Sequence, residues 1–221
     1  MLFIVSTPIG NLQDITLRAI EVLKSADLIA AEDTRHTRIL TKAYGITTPL
    51  TSYFEHNKFK KAEAVLKLLE EGKNVALVTD AGTPGISDPG YHLIQLAQDN
   101  AIPITVVPGP CALIAALTLS GLPSDSFVFS GFLPPKSAAR KKRLGSFKDA
   151  GRTVIFYESP HRLVRTLEDM LDVLGDREVA CAREITKVFE EVKRGTCSEL
   201  IRHFSQKKPK GECVLLLGKG G

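Results

Sequence analysis

Two hydrophobic rhythms alternate along the first half of the chain. Short β-rich runs occupy 2–7 (LFIVST), 27–32 (DLIAAE), 49–54 (PLTSYF), 74–80 (NVALVTD) and 102–109 (IPITVVPG). Between them the apolar residues take helical spacing. The spacing predicts helices at 16–26, 33–45, 60–72, 89–100 and 111–121. Asp33 or Thr34 suits an N-cap, Gly45 and Gly72 suit stops, and Pro89 suits a first turn. Strands separated by helices of this length predict parallel βαβ units. Their near-continuous apolar character fits a sheet covered on both faces.

A linker is expected at 121–125 (GLPSD), where Gly and Pro follow a helix and the composition shifts. Beyond it, strands are expected at 127–134, 153–159, 178–184, 188–195 and 211–219. Helices are expected at 137–150, 161–175 and 197–204. The fold class is therefore α/β, with one domain at 1–122 and a second at 123–221.

The bulk numbers narrow this picture only a little. The chain has 221 residues, 43% hydrophobic and 24% charged, ordinary for a globular protein. No window is long and apolar enough for a membrane span, and no basic leader precedes the first strand, so a cytoplasmic protein is expected. Cys111, Cys181, Cys197 and Cys213 are widely separated, which predicts reduced thiols. The net charge of +4 is uneven. Residues 1–122 carry ten Lys and Arg against twelve Asp and Glu, leaving 19 against 13 beyond them. The stretch KSAARKKRLGSFKDAGR (136–152) holds seven of these cations and one acid. It reads either as a solubilising face or as a surface for a polyanion, with Arg140, Lys141, Lys142 and Arg143 as the contacting cations.

Candidate chemistry concentrates in three loops that follow strands: Ser6–Asn11, Asp80–Gly90 and Pro108–Ala112. In an open parallel sheet, ligands bind beyond the carboxyl ends of the strands. Gly lets backbone approach a ligand, and Pro fixes a loop without adding a donor. The three loops are expected to converge into a pocket that grips an adenosine or amino-acid moiety. Asp80 suits a ribose hydroxyl or a cationic ligand. Asp88 suits either that role or simple capping of the following helix. Other sites lack their signatures: no phosphate-binding Gly-x-x-x-x-Gly-Lys-Ser/Thr, no Gly-x-Gly-x-x-Gly after the first strand, no zinc spacing and no Gly-x-Ser-x-Gly. No metal site is expected.

Five blocks taken together are more specific: STPIGNLQDIT (6–16), AEDTRHTRIL (31–40), VTDAGTPGISDPG (78–90), VPGPCALIAALTLSGLPSDSFVFSGFLPPK (107–136) and FYESPHRL (156–163). In order and spacing the chain resembles the bacterial small-subunit ribosomal RNA 2′-O-ribose methyltransferase family, within the tetrapyrrole-methylase superfamily of class III methyltransferases. The resemblance implies a two-domain fold with a parallel N-terminal sheet and a mixed C-terminal one. It implies S-adenosyl-L-methionine in the cleft between the domains, and a homodimer. The implied substrate is a cytidine of small-subunit ribosomal RNA, free or in the assembled subunit. The implied cofactor contacts are Pro8, Gly10, Asp80, Ala81, Gly82, Thr83, Pro84, Ile86, Ser87, Asp88, Cys111, Ala112, Leu133, Pro134 and Ala182. Cys111 departs from the Ser frequent in the family, and many relatives carry a C-terminal extension beyond the equivalent of this chain's last residues.

A ribose hydroxyl is a weak nucleophile and calls for a base or an oxyanion stabiliser. Glu32, Asp33, Arg35 and Glu158 are the catalytic candidates, with His36 and the Glu184–Lys187 pair behind them. Asp33 is also a plain helix cap, and Glu158 also a partner for Arg183. Two other readings stay open: the same fold acting on a tetrapyrrole or a protein side chain, and a non-catalytic ribosome-binding module.

Overall fold

A computed structural model describes residues 1–220. Its backbone divides into two compact units, Met1–Cys111 and a second that begins at Ala112.

The first unit contains β1 (Leu2–Val5), α1 (Leu17–Ser25), β2 (Leu28–Ala31), α2 (Thr34–Ala43), β3 (Leu50–Ser52), α3 (Lys58–Glu70), β4 (Val75–Val78), α4 (Gly90–Asp99) and β5 (Ile104–Val107). All five strands run parallel, in the order β3-β2-β4-β1-β5. The two-residue period of each strand sorts its side chains onto two faces. Leu2, Ile4, Val75 and Leu77 join α3 and α4 in one core, while Val5, Ala76 and Val78 join α1 and α2 in the other. Double-sided burial is why these strands read as unbroken apolar runs.

Capping fixes the helix starts. The Thr16 hydroxyl accepts from the Ala19 amide, and the Asp33 carboxylate accepts from the Arg35 amide, so Asp33 rather than Thr34 caps α2. Gly45 and Gly72, at φ +61° and +82°, turn the chain out of α2 and α3 as expected.

The second unit contains α5 (Ala112–Ser120), β6 (Phe127–Phe132), α6 (Ser137–Gly145), β7 (Thr153–Glu158), α7 (Leu163–Leu174), β8 (Glu178–Arg183), β9 (Glu191–Thr196), α8 (Cys197–Gln206) and β10 (Cys213–Leu217). Its sheet is mixed, in the order β6-β7-β10-β8-β9, with only the β6–β7 pair parallel. Val154, Phe156, Val179, Cys181, Leu215 and Leu217 face a core shared with α6, α7 and α8. Helix α5 packs on β7, β8 and β10. The helix expected to close the first domain therefore belongs to the second unit, and the division falls after Cys111 rather than at 121–125. Periodicity fixes a helix but not the sheet it covers. The all-round apolar character of ALIAALTLS offers no single face to assign.

The basic helix is shorter than expected and is not a free basic surface. It ends at Gly145. Arg140, taken as an RNA contact, is buried. Its guanidinium pairs with Asp169 at 2.6 Å and donates to the Pro135 carbonyl. Lys141 pairs with Asp172 at 2.7 Å. Arg143 donates to Ser130 and lies over the Phe147 ring. Of the four expected contacts, Arg140 is corrected to a structural residue, because a guanidinium clamped by a buried carboxylate cannot reach a phosphate. Among the described residues no helix is long and apolar enough to cross a membrane, and no His/Cys/Asp/Glu group is arranged to hold a metal ion. All four cysteines are free thiols, with Cys181, Cys197 and Cys213 buried.

Candidate active site

Strands β4, β1 and β5 are parallel neighbours, so their carboxyl ends open on one rim. The three loops meet there. The Thr7 amide donates to the Gly82 carbonyl at 2.9 Å, and the Gly82 amide donates back to Thr7 at 3.1 Å. The Thr7 hydroxyl donates to the Thr79 carbonyl at 3.0 Å. Ser6 and Thr83 share a hydroxyl contact of 2.9 Å, and Thr83 reaches the Pro110 carbonyl at 3.4 Å.

Glycine makes this approach possible. A methyl group at Gly109 would stand 3.0 Å from the Ser6 Cβ. Gly82 holds φ +83° between Ile9 and Pro110, a conformation that costs other residues dearly. Ser87 also adopts a positive φ, +63°, and carries that cost itself.

Asp88 is the knot of the long loop. Its carboxylate accepts from the Gly85 amide at 2.9 and 3.0 Å and from the Gly90 amide at 2.7 Å. A methyl group on Gly90 would strike that carboxylate at 2.8 Å. Burial pushes the Asp88 carboxyl above its usual range, and the amide bonds oppose this. The capping alternative describes its contacts. Around it Pro84 is buried, while Ala81, Ile86 and Ser87 are exposed.

Strand β2 lies beside β4 and brings Glu32 and Asp33 to the same rim, where they meet Asp80 at the end of β4. The Glu32 carboxylate accepts from the Thr79 hydroxyl at 2.5 Å and from the Asp80 amide at 3.3 Å. Asp80 in turn accepts from the Asp33 amide at 3.0 Å. The Asp33 carboxylate is spent elsewhere. It accepts from the Arg35 amide at 2.8 Å and forks onto the Arg35 guanidinium at 2.7 Å, which holds it far below the usual carboxylate range. Asp80 is the opposite case: desolvation raises it, with the Asp33 amide opposing and Glu32 adding to the rise. Glu32 and Asp33 were expected as catalytic candidates and Asp80 as a cofactor contact, and their surroundings separate all three.

Between the β1 loop and α2 lies a pocket of about 200 Å³, lined by Thr7, Pro8, Gly10, Leu12, His36, Thr37, Ile39, Leu40, Thr79 and Asp80. The loop that carries Leu12 is tied to the C-terminal end of α2, where the Tyr44 hydroxyl donates to the Leu12 carbonyl at 2.6 Å. Of these, Pro8, Gly10 and Asp80 were expected as cofactor contacts and His36 as a further catalytic candidate. Leu12, Thr37, Ile39 and Leu40 were not, because helix periodicity alone marks Leu40 as core and leaves Ile39 unexplained.

Cys111, half-buried, ends the first unit, and the remaining expected residues sit in the second. Leu133 is buried after β6, and its carbonyl accepts from Arg162 at 2.7 Å. Pro134 follows it, Ala112 opens α5, and Ala182 is buried in β8 opposite Val214. Glu158 is 2% exposed and fully engaged. It accepts from the Thr166 hydroxyl at 2.6 Å and the Ser159 amide at 2.7 Å, and pairs with Arg162 at 3.1 Å. The alternative partner is corrected as well: Arg183 pairs with Glu191, not Glu158. A carboxylate saturated with donors in a protein core is a poor base, so Glu158 leaves the catalytic candidates.

The site fits a sulfonium nucleoside by its own chemistry. Glycine-kinked main chain gives close approach, and the half-buried Asp80 is a carboxylate that a cation would stabilise.

The family described as Tetrapyrrole (Corrin/Porphyrin) Methylases matches residues 1–201. The Thermotoga maritima protein named ribosomal RNA small subunit methyltransferase I is 50% identical over 216 residues, 98% of this chain and 97% of its own. The proteins of that name from Vibrio cholerae and Escherichia coli O157:H7 are 52% and 51% identical, over 98% of this chain and 76% and 77% of theirs. Among solved structures, uroporphyrin-III C-methyltransferase from Thermus thermophilus complexed with S-adenosyl homocysteine superposes with a TM-score of 0.69. It is 18% identical, covering 98% of this chain and 96% of that one. The chain belongs to the tetrapyrrole methylase family and, within it, to the ribosomal RNA small subunit methyltransferase I group.

Proposed function

We propose that this chain transfers the methyl group of S-adenosyl-L-methionine to the 2′-hydroxyl of a cytidine in small-subunit ribosomal RNA. The observation that carries the reading is the meeting of the β1, β4 and β5 loops with the Glu32–Asp80 pair on one rim. The relatives at about half identity over nearly the full chain support the substrate class.

When bound, the cofactor supplies an electrophilic methyl on a sulfonium. Pro8, Gly10, Cys111 and the 80–88 loop are the first unit's residues placed to hold it. Asp88 keeps that loop closed, and Gly82 and Gly109 let the main chain come near. Asp80 is the acid best placed to draw the proton from the attacking hydroxyl, since Asp33 is held by Arg35 and Glu158 is buried. Glu32 positions Asp80 by accepting from its amide. The reaction needs no metal, only a nucleophile held close and in line.

The working form we propose is a cytoplasmic homodimer that uses free or assembled small-subunit RNA. Sedimentation of the purified protein at micromolar concentration tests the dimer, and a monomer there removes it. Incubation with labelled cofactor and small subunits lacking the modification tests the activity. Label in a 2′-O-methylcytidine is the expected result, and label in a base, or none, overturns it.

A further inference from the structure

We propose that the pocket between the β1 loop and α2 receives the nucleobase of the target nucleotide, swung out of the RNA so that its ribose lies against Asp80. This rests on the activity proposed above. The pocket lies on the rim that carries Glu32 and Asp80, and Asp80 forms part of its wall. At about 200 Å³ it falls below the roughly 300–1,000 Å³ of sites that enclose a drug-sized ligand. It suits one ring system rather than a whole nucleoside cofactor.

The lining has the composition that a flipped base demands: apolar faces to stack on and a polar edge to read. Leu12, Ile39 and Leu40 supply the faces, and His36 and Thr37 the edge, leaving Asp80 for the ribose. The Thr37 hydroxyl already donates to the Asp33 carbonyl at 3.0 Å, so it meets the pocket as an acceptor. An exocyclic amine, present on cytosine and absent from uracil, is the complementary group. The Tyr44–Leu12 hydrogen bond braces both walls, so the slot is preformed. Ile39 is 59% exposed and Leu12 37%, an apolar pair at the mouth with no packing role that accounts for them.

The test fills the slot. Ile39→Trp and, separately, Leu12→Trp are compared with wild type for methyl transfer to small-subunit RNA, affinity for S-adenosylhomocysteine and melting temperature. We expect a loss of transfer on the order of 100-fold in kcat, with homocysteine-analogue affinity and melting unchanged and RNA affinity reduced less than threefold, because phosphate contacts dominate affinity. A second arm uses an RNA made abasic at the position that wild type methylates. Wild type should slow on it, and Ile39→Trp should slow no further. Wild-type transfer by both folded variants overturns the base pocket, and so does loss of cofactor affinity, which would give the slot to the cofactor. A wild-type protein that transfers nothing to RNA defeats the activity itself, a different result from a variant that fails to block it.

Discussion

At the scale of single residues, similar acids are given different work by their surroundings. Asp33 is neutralised by Arg35, Asp88 is tied to Gly85 and Gly90, and Asp80 keeps a raised pKa through desolvation. For Asp80 the sign is definite. A carboxyl whose folded pKa lies above its unfolded value favours folding while protonated, and that contribution is lost as pH rises through the folded pKa. Asp80→Asn should therefore leave thermal stability at pH 7 unchanged or slightly higher while abolishing methyl transfer. The wild-type rate should climb with pH across a window above the ordinary carboxylate value of about 4. A flat profile, or an active Asp80→Asn, removes Asp80 as the base. Asp88→Ala should act otherwise. It orphans two amides, costs on the order of 1–3 kcal/mol in denaturant unfolding, and weakens cofactor binding with the loop.

At the scale of elements, the sequence disclosed more of the fold than of its assembly. Among the described residues, the ten strands and eight α-helices were legible from apolar runs, helical spacing and stop signals such as Gly45 and Gly72, while the single 3-10 turn at Leu12–Asp14 was not. The assignment of α5 was not, since a helix apolar all round carries no direction. The role of the basic helix was also hidden. Its cations are evident in the sequence, but the acids that engage them, Asp169 and Asp172, lie on α7, about thirty residues away. Arg140→Ala should cost about 3–5 kcal/mol, as removal of one partner from a buried pair does. Its RNA-binding loss should track unfolding and not salt. Lys142→Glu should leave melting unchanged, and any effect on RNA affinity should grow as salt is lowered. Urea titrations beside binding curves at two ionic strengths separate the two cases.

At the scale of the whole molecule, topology builds the site. An all-parallel sheet sends every strand end to one rim, so loops 70 residues apart in sequence become neighbours. That much of the site was legible: glycine-rich loops after three strands were expected to converge, and they do. The pocket beside them was not, because its walls come from a loop and a helix face whose juxtaposition no local pattern encodes. Gly109→Ala tests the convergence. Its methyl group must push the β5 loop from Ser6, and cofactor affinity should fall at least tenfold with the folded state retained. Unchanged affinity would mean that the close approach serves packing alone.

The most direct test of the account is nucleoside analysis of small-subunit RNA after incubation with the purified chain and isotopically labelled S-adenosylmethionine. The account predicts one labelled 2′-O-methylcytidine, lost with Asp80→Asn. Label in a base, in a tetrapyrrole offered in competition, or nowhere at all, would contradict it.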